Sequence, residues 1–97
     1  MLVELRIEAR IDLEEGAAFY ESQREGLGKY FIDSLFSDIK TLEVHGGIHE
    51  VSFGLHRKLS ERFPFAIYYQ LSEVTVDVVA ILDCRRNPHD IAHRLAP

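Results

Sequence analysis

Ninety-seven residues are enough for one small hydrophobic core and too few for two, so residues 1–97 are expected to fold as a single domain. Sixteen Asp and Glu against eleven Lys and Arg give a formal charge of −5, which excludes a general nucleic-acid binder of the overall basic kind but not a local basic patch. A single cysteine, Cys84, excludes a disulfide framework and a thiolate zinc cluster. No apolar run approaches the roughly 18 to 20 residues of a bilayer span, and Met1-Leu2-Val3-Glu4-Leu5-Arg6 lacks the basic-then-apolar order of a secretory signal, so a cytoplasmic protein with no membrane partner is expected.

Residues 2–8 alternate loosely with period two, as a short edge or near-edge strand does. From about Arg10 to Arg24, Leu13, Ala17 and Tyr20 recur at helical spacing while Asp12, Glu14, Glu15, Glu21 and Gln23 fill the other face, which predicts an amphipathic helix. Gly16 inside it costs about 1 kcal/mol relative to Ala, consistent with a close helix–helix contact or with a merely tolerated glycine. Gly26-Leu27-Gly28 interrupts the pattern. Leu27, Phe31, Leu35, Ile39 and Leu42 then draw an apolar stripe down a second helix, antiparallel to the first.

Residues 44–54 hold three glycines and no sustained period and read as a loop. Leu55 to Phe63 alternates as a strand, Pro64 permits a bend, and Phe65 to Leu71 is rich in strand formers. After the Ser72-Glu73 turn comes a strand over Val74 to Leu82, with Val74, Val76, Val78, Ala80 and Leu82 on one face. Asn87-Pro88 stops it, and Asp90 to Leu95 suits one closing helical turn. The order β-α-α-β-β-β predicts an α+β domain, a helical hairpin packed on one face of a small antiparallel sheet. The other sheet face mixes polar and apolar groups, as a concave surface that receives a partner segment would.

Four features occur in a fixed order: Asp12-Leu13 with Tyr20 on the first helix, Gly26-Leu27-Gly28 between helices, Arg62-Phe63-Pro64-Phe65-Ala66-Ile67-Tyr68-Tyr69, and Arg85-Arg86-Asn87-Pro88 at the last strand's end. Together, over about residues 5–90, they resemble the RelE/ParE superfamily of type II toxins, also described as plasmid stabilisation proteins. The resemblance implies a cytoplasmic, growth-inhibiting toxin neutralised by a cognate antitoxin that carries any DNA binding. It also implies one of two activities: poisoning of DNA gyrase, as in the ParE-like branch, or ribosome-dependent mRNA cleavage, as in the RelE-like branch. A relative that has lost toxicity and only binds its antitoxin is a third reading.

Metal-independent RNA cleavage needs a base for the 2′-hydroxyl, cations for the phosphate and an acid for the leaving oxygen. Arg62, Arg86 and His93 are the expected catalytic groups on the RelE-like reading, with His89 an alternative histidine and Arg85 an alternative cation. The C-terminal Tyr that some RelE-like enzymes use has no counterpart after Pro88, which tilts the expectation towards the ParE-like, non-enzymatic mode. On either reading Lys58, Arg62, Tyr69, Arg85 and Arg86 are the expected partner-binding residues, with an apolar and acidic antitoxin tail lying over Tyr69, Lys58 and Arg62. Tyr68 and Tyr69 point to opposite faces of their strand. His45 and His49 share a glycine-rich loop with no third fixed ligand, so no metal and no cofactor is expected. The charge is divided: residues 1–50 carry eleven acids and five bases, residues 51–97 five acids and six bases. The halves are thus −6 and +1, and the cations gather at Arg57, Lys58, Arg62, Arg85 and Arg86.

Overall fold

The computed structural model describes all 97 residues, Met1–Pro97. The chain runs β1 (Leu2–Leu5), α1 (Ile7–Gln23), α2 (Leu27–Lys40), a single turn α3 (Leu42–His45), β2 (Val51–Ser52), β3 (Leu55–Leu59), β4 (Phe65–Leu71), β5 (Thr75–Asp83) and α4 (Pro88–Leu95). The strands form one sheet in the order β1-β5-β4-β3-β2. β1 lies at the edge, as its pattern predicts, but pairs with β5 in parallel; all other pairings are antiparallel. The helical hairpin covers one face of this α+β fold.

The hairpin is built around glycines. Gly26 adopts φ 87°, a left-handed conformation that ends the turn between the helices. A Cβ on Gly28 would sit 2.8 Å from the backbone oxygen of Ala17, so its lack of a side chain lets α2 start against α1. The Glu21 carboxylate accepts from the Gly28 N–H at 2.9 Å and from that of Gly26, satisfying donors that the first turn of α2 leaves free. Gly16 is the close contact: a Cβ there would meet the Phe31 ring at 2.6 Å. Between the helices and the sheet lies the main core, in which Leu13, Tyr20, Phe31, Leu35 and Ile39 pack on Ile67, Tyr69, Val76 and Val78.

Several boundaries differ from the sequence reading. α1 begins at Ile7 because Arg6 already serves as its N-cap residue, without a side-chain cap. The expected loop over 44–54 contains part of α3 and the two-residue β2, joined to β3 by Phe53 (φ 57°) and Gly54 (φ 79°), a pair of left-handed residues suited to a two-residue hairpin. β3 stops at Leu59 rather than continuing to Phe63. The Ser60 hydroxyl there turns inward to donate to the buried Asp38 carboxylate at 2.7 Å.

The single expected apolar face of β5 is divided. Tyr69 is opposite Val78 and Tyr68 opposite Ala80, so Val79 is an extra residue. This bulge leaves Val76, Val78 and Ile81 facing the helices and turns Ala80 and Leu82 to the other side. It falls where β1 ends. The Arg6 N–H makes the last bond to β5, at Val78, and the next free donor, Ile81 N–H, is met at 2.9 Å by the Asp12 carboxylate from α1.

On the second sheet face, Ala66, Tyr68, Ala80 and Leu82 form a smaller core closed by Ile91 of α4. Asn87-Pro88 is therefore a beginning as well as a stop. The Asn87 side chain accepts from the His89 N–H at 2.8 Å, and Pro88 takes the first helical position, where no N–H is needed. Arg94 then anchors the helix to Asp12 through two bonds of 2.7 and 2.8 Å.

Candidate functional site

The expected site residues divide between the two faces and one end of the sheet. Tyr69 is fully buried in the helix-side core. Its expected place under a partner segment is corrected: the β3–β4 register sets Tyr69 beside His56, among the residues facing the helices. Lys58, opposite Ile67, also lies on that side and is half-buried. Arg57, opposite Tyr68, lies on the other face. Its guanidinium donates to the Tyr68 hydroxyl at 3.2 Å and to the Cys84 sulfur at 3.5 Å. The Tyr68 hydrogen bond, above all, holds Arg57 more firmly protonated than an ordinary arginine.

Arg62 is exposed in the bend between β3 and β4, not on a strand face shared with Lys58. The Cys84 N–H donates to the Pro64 carbonyl at 2.7 Å, which brings that bend beside the turn bearing Arg85 and Arg86. Arg85 and Arg86 are both exposed. Arg85 grips Asp83 with its side chain at 3.0 and 2.7 Å and its backbone N–H at 2.8 Å. Arg86 borders a shallow pocket with Phe19 and the α1 carboxylates Asp12 and Glu15. Arg62, Arg85 and Arg86 thus gather at one end of the sheet. His89 and His93 are exposed on α4, and no side-chain hydrogen bond joins either to the three arginines.

The Arg85 hydrogen bond is the main cause of a lowered Asp83 pKa, below the ordinary 3.8. A carboxylate depressed on folding contributes stability that is complete above the unfolded value and lost as pH falls through the folded one. Asp83→Asn is expected to flatten this part of the acid limb when urea unfolding is followed from roughly pH 5 to 2. An unchanged limb contradicts the assignment.

Between α4, the β2–β3 turn and the open part of the sheet runs a cleft of about 530 Å³. Phe53, Leu55, Val79 and Leu95 give it apolar walls; Arg6, Gln70 and Arg94 give it polar ones. Arg6 is fixed by Asp77 at 2.8 Å, and Gln70 donates to the same carboxylate at 3.0 Å. A concave surface was expected over Tyr69, Lys58 and Arg62; none of the three borders this cleft, and α4 covers part of the second sheet face beside it. A second, shallower groove of about 410 Å³ lies on the outside of the helical hairpin, lined by Ala17, Ala18, Gly28 and Ile32 with Glu21 and Lys29.

Two local arrangements were missed from the sequence. The Asp12–Arg94–Ile81 junction joins residues from three distant segments, and nothing near Asp12 in the chain marks its partners. The cluster of His49, His56 and Tyr69 is held by Tyr69, whose hydroxyl lies 2.5 Å from His49 Nδ1. The only signal was two histidines seven residues apart across a hairpin. No helix is long and apolar enough to cross a membrane.

No family model matches the sequence, and no curated protein matches it. Among solved structures, a chain described as the chromosomal ParDE TA (toxin–antitoxin) system from P. aeruginosa is similar. The TM-score is 0.71 at 17% sequence identity, over 84% of this chain and 92% of that one. The likeness is one of fold: a helical hairpin on a small mixed sheet.

Proposed function

We propose that this chain is the toxin of a bacterial type II toxin–antitoxin module, of the ParE-like branch, inhibiting growth by poisoning DNA gyrase and held inactive by a cognate antitoxin. The observation that carries the reading is the fold likeness to a chain of a ParDE system over nearly the whole of both chains. The ordered motifs from Asp12-Leu13 to Arg85-Arg86-Asn87-Pro88 support it independently.

The ParE-like branch is favoured by how the candidate catalytic groups are arranged. Arg62 sits on a bend, Arg86 beside α1 carboxylates and His93 on the exposed side of α4, with no hydrogen bond between them. Phosphate-binding cations and an acid–base group would have to converge on one scissile phosphate, and these three stand on separate segments of the chain. Arg57, on the second sheet face, is already engaged by Tyr68 and Cys84. The chain then acts by binding and needs no cofactor.

The antitoxin segment is assigned to the cleft between α4 and the β2–β3 turn, with apolar side chains against Phe53, Leu55 and Leu95. Acidic groups of the partner would reach Arg62, Arg85 and Arg86 at the open end of the sheet, and Lys58 at its β3 edge. Such a segment orders as it binds, and DNA binding by the complex resides in the antitoxin.

Titration with the product of the small reading frame beside this gene tests the partnership; the reading predicts binding at micromolar concentration or tighter, and no binding there contradicts it. Induction in a bacterium separates the targets. Gyrase-trapped DNA breaks with intact mRNA are expected. Cleavage of mRNA within translated codons, abolished by Arg62→Ala or Arg86→Ala, would instead establish the ribosome-dependent nuclease.

A further inference from the structure

The segment from Gly46 to Ser52, which leads from α3 into β2, has no fully buried residue; Ile48 is 73% and Val51 62% exposed. Apolar burial therefore contributes little to holding it down. Polar contacts hold it instead, and they converge on one buried phenol. The Gly47 N–H donates to the Tyr69 hydroxyl oxygen at 2.9 Å, and His49 Nδ1 lies 2.5 Å from the same oxygen. The His56 ring stacks on Tyr69 with centroids 5.1 Å apart, and its Nδ1 lies 2.8 Å from the His49 carbonyl. The Arg57 N–H donates to the Glu50 carbonyl at 2.9 Å, and two residue pairs complete the β2–β3 ladder.

Proton counting makes His49 the vulnerable member. Gly47 N–H occupies one lone pair of the Tyr69 oxygen, and His49 Nδ1 is the acceptor within reach of the phenol proton, the tautomer on which the clamp proposed below rests. In that tautomer the single ring proton of His49 is on Nε2. His56 differs: its Nδ1 faces a carbonyl, so it donates whether the ring is neutral or charged. A proton added to His49 Nδ1 turns an acceptor into a donor, and the buried Tyr69 hydroxyl loses the group it donates to.

We propose that residues 46–52 are a pH-gated flap over the outer edge of β3, closed by the Tyr69-to-His49 hydrogen bond and released when acid protonates His49. The groups around His49 reinforce the effect: His45 from α3, His56 and Lys58 from β3, and Tyr69 from β4. Burial, then Lys58, His56 and His45, hold the His49 pKa below its ordinary 6.5. The nearby Glu50 acts instead on Arg57. Because the folded value is the lower one, the clamp is fully effective above about pH 6.5 and weakens as pH falls through that value towards the folded one. Opening frees the Arg57 N–H and the β3 edge.

Amide hydrogen exchange on the full chain between roughly pH 7.5 and 5 tests the flap, with protection factors corrected for intrinsic rates. The expected result is that protection of Gly47 and Arg57 falls by up to about tenfold per pH unit below 6.5 while the β4–β5 ladder keeps its protection. His49→Asn, which keeps an acceptor near Nδ1 but cannot titrate, is expected to make the profile flat. Imidazole NMR titration of the unmodified chain supplies an independent reading, with His49 titrating below its ordinary 6.5. Three results overturn the flap: His49 titrating at or above 6.5, Gly47 and Arg57 protection that ignores pH, or protection lost in step with β4–β5.

Discussion

Asp12→Ala is expected to destabilise the fold by about 3 kcal/mol or more, the loss typical when one partner of a largely buried ion pair is removed. The Asp12 side chain is only 9% exposed, and its removal leaves Arg94, 28% exposed, without its partner. The same substitution strips the Ile81 N–H of its acceptor just beyond the β5 bulge. For a chain of this size the loss corresponds to a fall in Tm of more than about 10 °C. Arg94→Ala is expected to cost less, because Asp12 still accepts from Ile81. Urea unfolding of both variants checks the order, and a loss below about 1 kcal/mol for Asp12→Ala contradicts the junction's importance.

The second large effect lies in the helical hairpin. Phe31 is fully buried, and its ring meets Tyr20, Phe63 and Phe65 at centroid distances of 5.3, 5.0 and 4.9 Å. Phe31→Ala is expected to cost about 3–5 kcal/mol through lost burial and the cavity it leaves. Gly16 gives this substitution a specific signature. Alone, Gly16→Ala sets a methyl 2.6 Å from the Phe31 ring and is expected to destabilise by about 1–3 kcal/mol, despite a gain in helix propensity. In the Phe31→Ala background the obstruction is gone, and the same change becomes neutral or stabilising by up to about 1 kcal/mol. A double-mutant cycle measures this change of sign; additive effects would contradict the contact.

How much the sequence disclosed depends on how local each feature is. The helical hairpin was legible because the stripe from Leu27 to Leu42 and the two glycines of the turn are short-range signals. The start of α1 was not, since the period-two alternation of residues 2–8 runs past Arg6 and no capping side chain marks the boundary. β3 reads as continuing to Phe63 because alternation persists there, while its end depends on Asp38, twenty-two residues away. Val78-Val79-Ala80-Ile81 is apolar at every position, so periodicity cannot reveal an extra residue among them. The bulge becomes intelligible only with β1 ending beside it and Asp12 taking up Ile81.

The candidate site shows the same division. Opposite faces for Tyr68 and Tyr69 follow from strand geometry, but which face each takes follows from the β3–β4 register and from α4 closing over Tyr68. The arginines after β5 were visible as a pair. That Arg86 turns to α1 is a tertiary outcome, whereas Arg85 binds back to Asp83 only two residues away.

The most direct test of the central claim is growth: colony counts after induction of this chain in a bacterium, alone and together with the product of the neighbouring reading frame. A collapse of counts with the chain alone, and recovery when both are made, is the expected result. Undiminished growth while folded protein accumulates, or a collapse that the partner does not relieve, would contradict it.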